Sequence, residues 1–310
     1  MTTGRSAARR VIAIGVLTLW VAGLVYLARR ELFRPHLERL AEAALRVNQF
    51  TMFYSVSRDS GLVGYASSVI DTTPGSITIT DYLVTEISGP KPRSTSRAKI
   101  SLSRTFRLRD FESSVQSNSV NIHANGKVFG DTALTYSVSS GGKPAVTRTI
   151  PLDGLVLLPQ LVPLALALTT RPAVGRTYSF PVFDPSRQEV VQVESQVRAE
   201  SIFVVSDSAV LDSATRRWKS AHTDTVRAWQ VSSTPGGFNG WLDEGGHVVK
   251  TTELGSDVDL TSYEEAFENW VLEATERRLR ALPPSQRPAG WKPSSPPPAN
   301  PQRGGRPPDK

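Results

Sequence analysis

The residues able to do chemistry are few and scattered. Four histidines, His36, His123, His222 and His247, lie far apart, and none belongs to an HExxH or other metal-ligand spacing. His222 and Asp224 share one face of a strand, where a carboxylate can orient an imidazole. Asp257 and Asp259 repeat that spacing and offer two oxygen ligands to a hard cation. Pairs this short recur by accident, so both read first as solvated strand faces or turns. The chain has no cysteine, which excludes a disulfide framework, a thiolate zinc site and a cysteine nucleophile. It also lacks GxSxG, SxxK, a GxGxxG turn and a phosphate loop; Gly141-Gly142-Lys143 runs straight into Pro144. A carboxylate hydrolase assembled from distant strands, with Asp184, Asp243 or Glu244, stays open as an alternative. No catalytic residue, metal site or cofactor is assigned.

Charge excludes one large class of function. The net charge of +7 is concentrated at the two ends. Residues 1–49 hold eight Arg against three Glu, and residues 282–310 hold five basic residues against Asp309, so the body between them is slightly acidic. A nucleic-acid groove needs its basic residues on the folded domain, so no nucleic-acid partner is expected.

The elements that would position any site begin with a membrane anchor. Residues 11–28 form eighteen uncharged positions, roughly 27 Å as a helix, bounded by Arg9-Arg10 and Arg29-Arg30. The run exceeds a signal-peptide core and no small-x-small cleavage site follows it. It therefore reads as one uncleaved transmembrane signal-anchor. Residues 1–10 form a cytoplasmic tail, and the body lies outside the cytoplasm, in the cell envelope or periplasm. Positive charge flanks both sides, so orientation rests on the short Arg-rich tail being hard to translocate. Residues 29–49 read as a helical stalk, with Leu37, Leu40, Ala41 and Ala44 on one face and Pro35 suited to its first turn.

From Phe50 the apolar period becomes two. Residues 99–109 show it best: Ile100, Leu102, Phe106 and Leu108 face one way, Lys99, Ser101, Ser103 and Arg107 the other, with Arg104 interrupting the apolar face. Further strands are expected over 51–57, 62–70, 76–87, 111–123, 132–139, 174–183, 188–198, 200–206, 223–232, 237–242 and 247–253. Turn signals fall at Thr73-Pro74-Gly75, Asn125-Gly126, Ser140-Gly141-Gly142 and Glu244-Gly245-Gly246. Strands in runs without intervening helices mean antiparallel sheet. The fold class is mainly β: a curved antiparallel sheet or half-barrel with short helices over 50–281, preceded by one transmembrane helix.

Two helices interrupt this pattern. Residues 152–168 are almost wholly apolar but carry Pro159 and Pro163, which gives a short broken helix that either fills core or lines a concave sheet face. Leu155, Leu158, Leu161, Leu164 and Leu168 are the candidate ligand-binding residues. Residues 262–281 form a capped helix: Ser262 with Glu265, or Thr261 with Glu264, supplies a capping box, Phe267, Trp270, Val271 and Ala274 the apolar stripe, and Arg277, Arg278 and Arg280 the basic end. Residues 282–310 hold ten of the 22 prolines and few large apolar side chains, too little to form a core, and read as a disordered basic tail.

Two stretches carry a resemblance. Gly175 with Tyr178-Ser179-Phe180-Pro181-Val182-Phe183-Asp184-Pro185-Ser186-Arg187 is one. The other is Gly240-Trp241-Leu242-Asp243-Glu244-Gly245-Gly246-His247-Val248-Val249-Lys250, leading to the helix with Glu265-Ala266-Phe267-Glu268-Asn269-Trp270. Over residues 50–275 they resemble an uncharacterised bacterial envelope β-domain family, found beside transglutaminase-like domains and similar in style to the half-barrels of periplasmic lipoprotein carriers. The resemblance implies packing for Trp241, turns at Gly245 and Gly246, and a turn-bracing Asp184, with no catalytic residue. The expected function is a membrane-anchored, non-enzymatic envelope module. Its partners are the membrane and either a lipid or other hydrophobic ligand or an envelope protein. The alternatives are the hydrolase above and a structural subunit of a membrane complex.

Overall fold

The structure, a computed structural model, describes residues 36–290 apart from 60, 87–92, 118–119, 170, 236–237, 254–255 and 289. The expected span 11–28, the tail 1–10 and, from 291 on, the expected disordered tail 282–310 lie outside the described residues; within that expected tail Pro284–Gln286 form a 3-10 turn. Among the described residues, no helix is long and apolar enough to cross a membrane.

The chain opens with helix α1 (His36–Ala44), then runs through β1 (Phe50–Arg58), β2 (Gly61–Thr72), β3 (Ser76–Glu86), β4 (Arg93–Ser103), β5 (Leu108–Gln116), β6 (Asn121–Phe129), β7 (Ala133–Ser140) and β8 (Val146–Pro151). A 3-10 turn (Pro159–Leu161) leads into α2 (Val162–Thr169). The return leg is β9 (Thr177–Asp184), β10 (Glu189–Asp212), β11 (Arg217–Thr234), β12 (Asn239–Asp243), β13 (Val248–Glu253) and β14 (Ser256–Thr261). A π-helical turn (Glu264–Glu268) continues into α3 (Asn269–Ala281). Among the described residues these strands make one 14-stranded antiparallel sheet in which β1 pairs with β14, so the chain meanders out to β8 and back in from β9.

The sheet is curved and open, and its two ends approach each other. The Tyr136 ring on β7 lies 4.8 Å from that of Phe183 on β9, and the Tyr136 hydroxyl donates to the Gln188 carbonyl at 3.2 Å. In the gap, the Leu157 N–H donates to Pro181 and its carbonyl accepts from Phe183, which extends the β9 edge by one short parallel bridge.

The concave face holds the main core. Leu40 and Ala44 of α1 and Leu164, Ala165 and Leu166 of α2 meet inward residues of the sheet such as Ile79, Ile100, Phe111, Tyr136, Val193, Trp229 and Leu242. Each fully buried aliphatic or aromatic side chain contributes about 1.5–3 kcal/mol relative to exposure. The segment expected as a stalk thus carries a helix whose Leu40 and Ala44 pack into this core.

The outer face is covered by α3 and the end of the long β10–β11 hairpin. Tyr65 on β2 meets Phe267 at 4.9 Å and Trp270 at 5.1 Å. Of the two expected capping boxes, the one formed is Ser262 with Glu265: the Glu265 N–H donates to the Ser262 hydroxyl at 3.3 Å, and both Thr261 and Ser262 donate to the Glu265 carboxylate.

Several expected elements are corrected. The strand 99–109 is two strands, because the chain turns between Ser103 and Leu108; Phe106 takes φ 62° there and stays buried, so the apolar alternation runs through the turn unbroken. The strand 111–123 is likewise split between β5 and β6. Asn125-Gly126 is no turn: both lie inside β6, and a Cβ on Gly126 would stand 2.3 Å from the Phe111 ring, so the glycine makes room for an aromatic on the next strand. The separate strands 188–198 and 200–206 are one strand, β10, and 223–232 is the inner part of β11; bulges at Val197/Ala199 and Ser206/Ser208 shift the alternation. Strands β8 and β14 were not expected. In 152–168 only the part from Pro159 is helical: Pro159 opens the 3-10 turn and Pro163 sits in the first turn of α2, where a missing N–H costs nothing.

Candidate functional site

A half-open cavity of about 410 Å³ lies on the concave face, between strands β1–β4 and the start of α2. Its floor is set by register. Met52, Ser68, Asp81 and Ala98 stand opposite one another across β1 to β4, and Tyr54, Ala66, Leu83 and Ser96 form the neighbouring row. Alternation puts both rows on the same face, so the cavity is a direct product of the period-two pattern. Pro159, Gln160, Pro163 and Leu164 supply the opposite wall, and Phe238, His247, Val248 and Val258 the side formed by the returning strands.

The lining is mainly apolar, with polar groups at fixed points. Asp81 is recessed in the floor yet keeps an edge on the cavity, and the Ser68 hydroxyl donates to its Oδ1 at 2.6 Å. Burial pushes its carboxyl above the ordinary carboxylate range, and the Ser68 hydrogen bond offsets part of that. The buried Tyr54 hydroxyl donates to the Met52 sulfur at 3.1 Å. Burial, and then the nearby carboxylates of Asp81 and Asp243, push the Tyr54 phenol upward, so it is protonated throughout the physiological range.

At the rim, the β12–β13 turn presents His247. Asp243 Oδ1 accepts the N–H groups of Gly245 and His247, and its Oδ2 lies 2.8 Å from His247 Nδ1. The ring stacks on Phe50 with centroids 4.5 Å apart. The turn is pressed onto α2: Gly246 has φ 79°, and a Cβ there would lie 2.8 Å from the Leu164 backbone. Among the described residues, no hydroxyl is hydrogen-bonded to the other His247 nitrogen. The arrangement provides an apolar compartment with a few oriented polar groups, which is the make-up of a small-molecule site.

The residues expected from sequence scatter around this cavity. Leu164 lines it. Leu158 and Leu161 are buried in the main core, Leu168 packs against that core, and Leu155 borders a separate narrow cleft near Arg107 and Asp131. The α2 segment reaches the cavity mainly through its prolines. Asp184, Asp243 and Glu244 do not converge. Asp184 braces the β9–β10 turn by accepting from Ser186 and Arg187, and Glu244 pairs with Arg171 in solvent at 2.8 Å. His222 is oriented by Asp207 at 2.7 Å, not by Asp224, whose carboxylate accepts from the Thr225 N–H. Asp257 and Asp259 face outward on β14, and Asp259 pairs with Lys250 at 2.8 Å, which removes it from a cation site. Tyr54, Asp81 and His247 are cavity groups that the sequence reading missed. The available signal was Asp81 itself, an acid on the face that carries Ile77, Ile79 and Leu83.

No family model and no curated protein matches the sequence. Among solved structures, the chain is similar to the β-barrel-like protein of the domain of unknown function DUF1849 from Brucella abortus. That likeness has a TM-score of 0.40 and 15% sequence identity, over 70% of this chain and 96% of the other.

Proposed function

We propose that the chain is a non-enzymatic envelope module that takes an apolar ligand into its concave cavity. Residues 11–28 hold it at a membrane, with the β-domain outside the cytoplasm. The observation carrying this reading is the cavity: an apolar lining of ligand-sized volume, one wall of which is a short proline-broken segment and not a continuous packed helix. The uncharged run ahead of the domain would keep its mouth near lipid, and the resemblance to lipoprotein-carrier half-barrels supports the same reading.

The test is organic extraction and native mass spectrometry of the full chain purified from its membrane. A co-purifying hydrophobic species, absent from an Ala66→Phe variant that fills the floor, is the expected result. A chain that carries nothing and takes up no added neutral amphiphile such as decanol contradicts it. Such a chain, recovered instead with a stoichiometric envelope protein, would favour a docking role.

A further inference from the structure

We infer that the cavity selects an amphiphile whose head is a protonated amine, paired with the carboxylate of Asp81. This rests on the ligand-binding reading above and adds the chemistry of the head group. Three observations carry it. First, Asp81 is a recessed acid with one side-chain hydrogen-bond partner among the described residues, the Ser68 hydroxyl. A carboxylate has about four acceptor sites, so this lining acid keeps acceptor capacity for a ligand. Second, among the described lining residues there is no Lys or Arg. The basic group that does line it, His247, is already held by Asp243. Third, Asp243, the other acid near the cavity, already has a partner in His247 at 2.8 Å, which leaves Asp81 as the acid among the described lining residues that has no basic partner.

A carboxylate withdrawn from water without a cation is unfavourable, and a cation brought to it restores the balance. The upward displacement of the Asp81 carboxyl agrees with an acid awaiting such a partner. An anionic head, such as a fatty-acid carboxylate, meets the like charge of Asp81 and no Lys or Arg among the described lining residues. Tyr54 does not alter this, because its hydroxyl is directed to Met52. The apolar walls formed by Ile79, Leu83, Leu164 and Val248 would then take the chain of the amphiphile.

The experiment uses the full chain in a neutral maltoside detergent with decylamine, decanol and decanoate, each read as bound mass by native mass spectrometry at pH 7.5. Decylamine should exceed decanoate by about tenfold or more, the size expected of a charge-assisted hydrogen bond. Asp81→Asn, close in shape, should bring decylamine down to the level of decanol, with thermal unfolding of the variant as the check on folding. Decanoate bound as well as decylamine, or decylamine unaffected by Asp81→Asn, would overturn the head-group assignment while decanol binding kept the ligand-binding reading intact. Failure of all three probes would overturn both. A single-chain phosphatidylethanolamine separates the sources of an amine: occupancy equal to decylamine supports a lipid head group, and occupancy by decylamine alone supports a free amine.

Discussion

Asp81 shows how one side chain can be read in stability as well as in binding. Burial raises its carboxyl above the ordinary value of 3.8, so the folded protein holds this proton more tightly than the unfolded chain does. The sign follows from linkage: the folded state gives up stability as pH rises from that value through the raised one. Asp81→Asn cannot ionise and escapes that loss. Denaturant unfolding of wild type and Asp81→Asn should therefore give a gap in favour of the variant that is wide at pH 7.5 and narrows towards pH 4. A gap independent of pH would mean that Asp81 is solvated in the folded chain. Gly126 gives a second residue-scale expectation. Valine there would meet the Phe111 ring, and overpacking of this kind costs about 1–3 kcal/mol, measurable as a lower unfolding midpoint. This glycine also shows why Asn125-Gly126 misled as a turn signal: the dipeptide is the same whether the glycine bends the chain or makes space. Asp81 was legible, since an acid interrupts the inward row of β3, but its partner Ser68 came from a neighbouring strand whose register the sequence does not display.

At the scale of elements, the β10–β11 hairpin is held to α3 by a small set of buried groups. Arg217 reaches Glu273 at 3.0 Å and Glu276 at 3.5 Å, with all three side chains under one-fifth exposed. Asn269 mimics a strand: its Oδ1 accepts the Trp218 N–H at 2.9 Å, and its Nδ2 donates to the Trp218 carbonyl at 2.8 Å. Burial raises the Glu273 carboxyl despite Arg217 and Arg277 nearby, and removing Arg217 leaves it the longer 3.5 Å contact with Arg277. Arg217→Ala should cost about 1–3 kcal/mol, the range for losing charge-assisted hydrogen bonds, because Arg277 and Arg280 remain beside the two acids. Asn269→Ala should speed amide exchange over 199–227 while leaving β3 to β7 protected. Uniform exchange after Asn269→Ala would show that the hairpin is held by other contacts. Bulges hid this hairpin from a reading by period, because each one moves the alternation by a residue and makes a long strand look like several short ones. The turn between β4 and β5 escaped for the opposite reason. Phe106 continues the buried row through the reversal, so the pattern carries no mark of it.

The whole molecule is a sheet that runs outward from β1 and returns beside it at β14, with its free ends drawn together around helices α1 and α2. Antiparallel class, curvature and the presence of short helices follow from alternation and from proline placement. The order of strands does not, because pairing β1 with β14 joins residues 200 to 208 positions apart that share only an apolar period. The cavity is a product of that order, which is why the leucines chosen along 152–168 mostly belong to the core, while the floor comes from strands read as plain sheet. The proposed anchor is tested at this scale too: if residues 11–28 span a membrane, the full chain should stay with membranes through alkaline extraction, and a mature N-terminus beyond residue 28 would contradict the span. The most direct measurement of the central claim is photolabelling of the full chain in lipid membranes with a neutral diazirine-bearing decanol, followed by mapping of the modified residues. Labels on Met52, Leu83, Leu164 and Val248 that vanish in Ala66→Phe are the predicted result. Labels confined to residues 11–28, or cavity labels unchanged by filling the floor, would contradict a ligand site on the concave face.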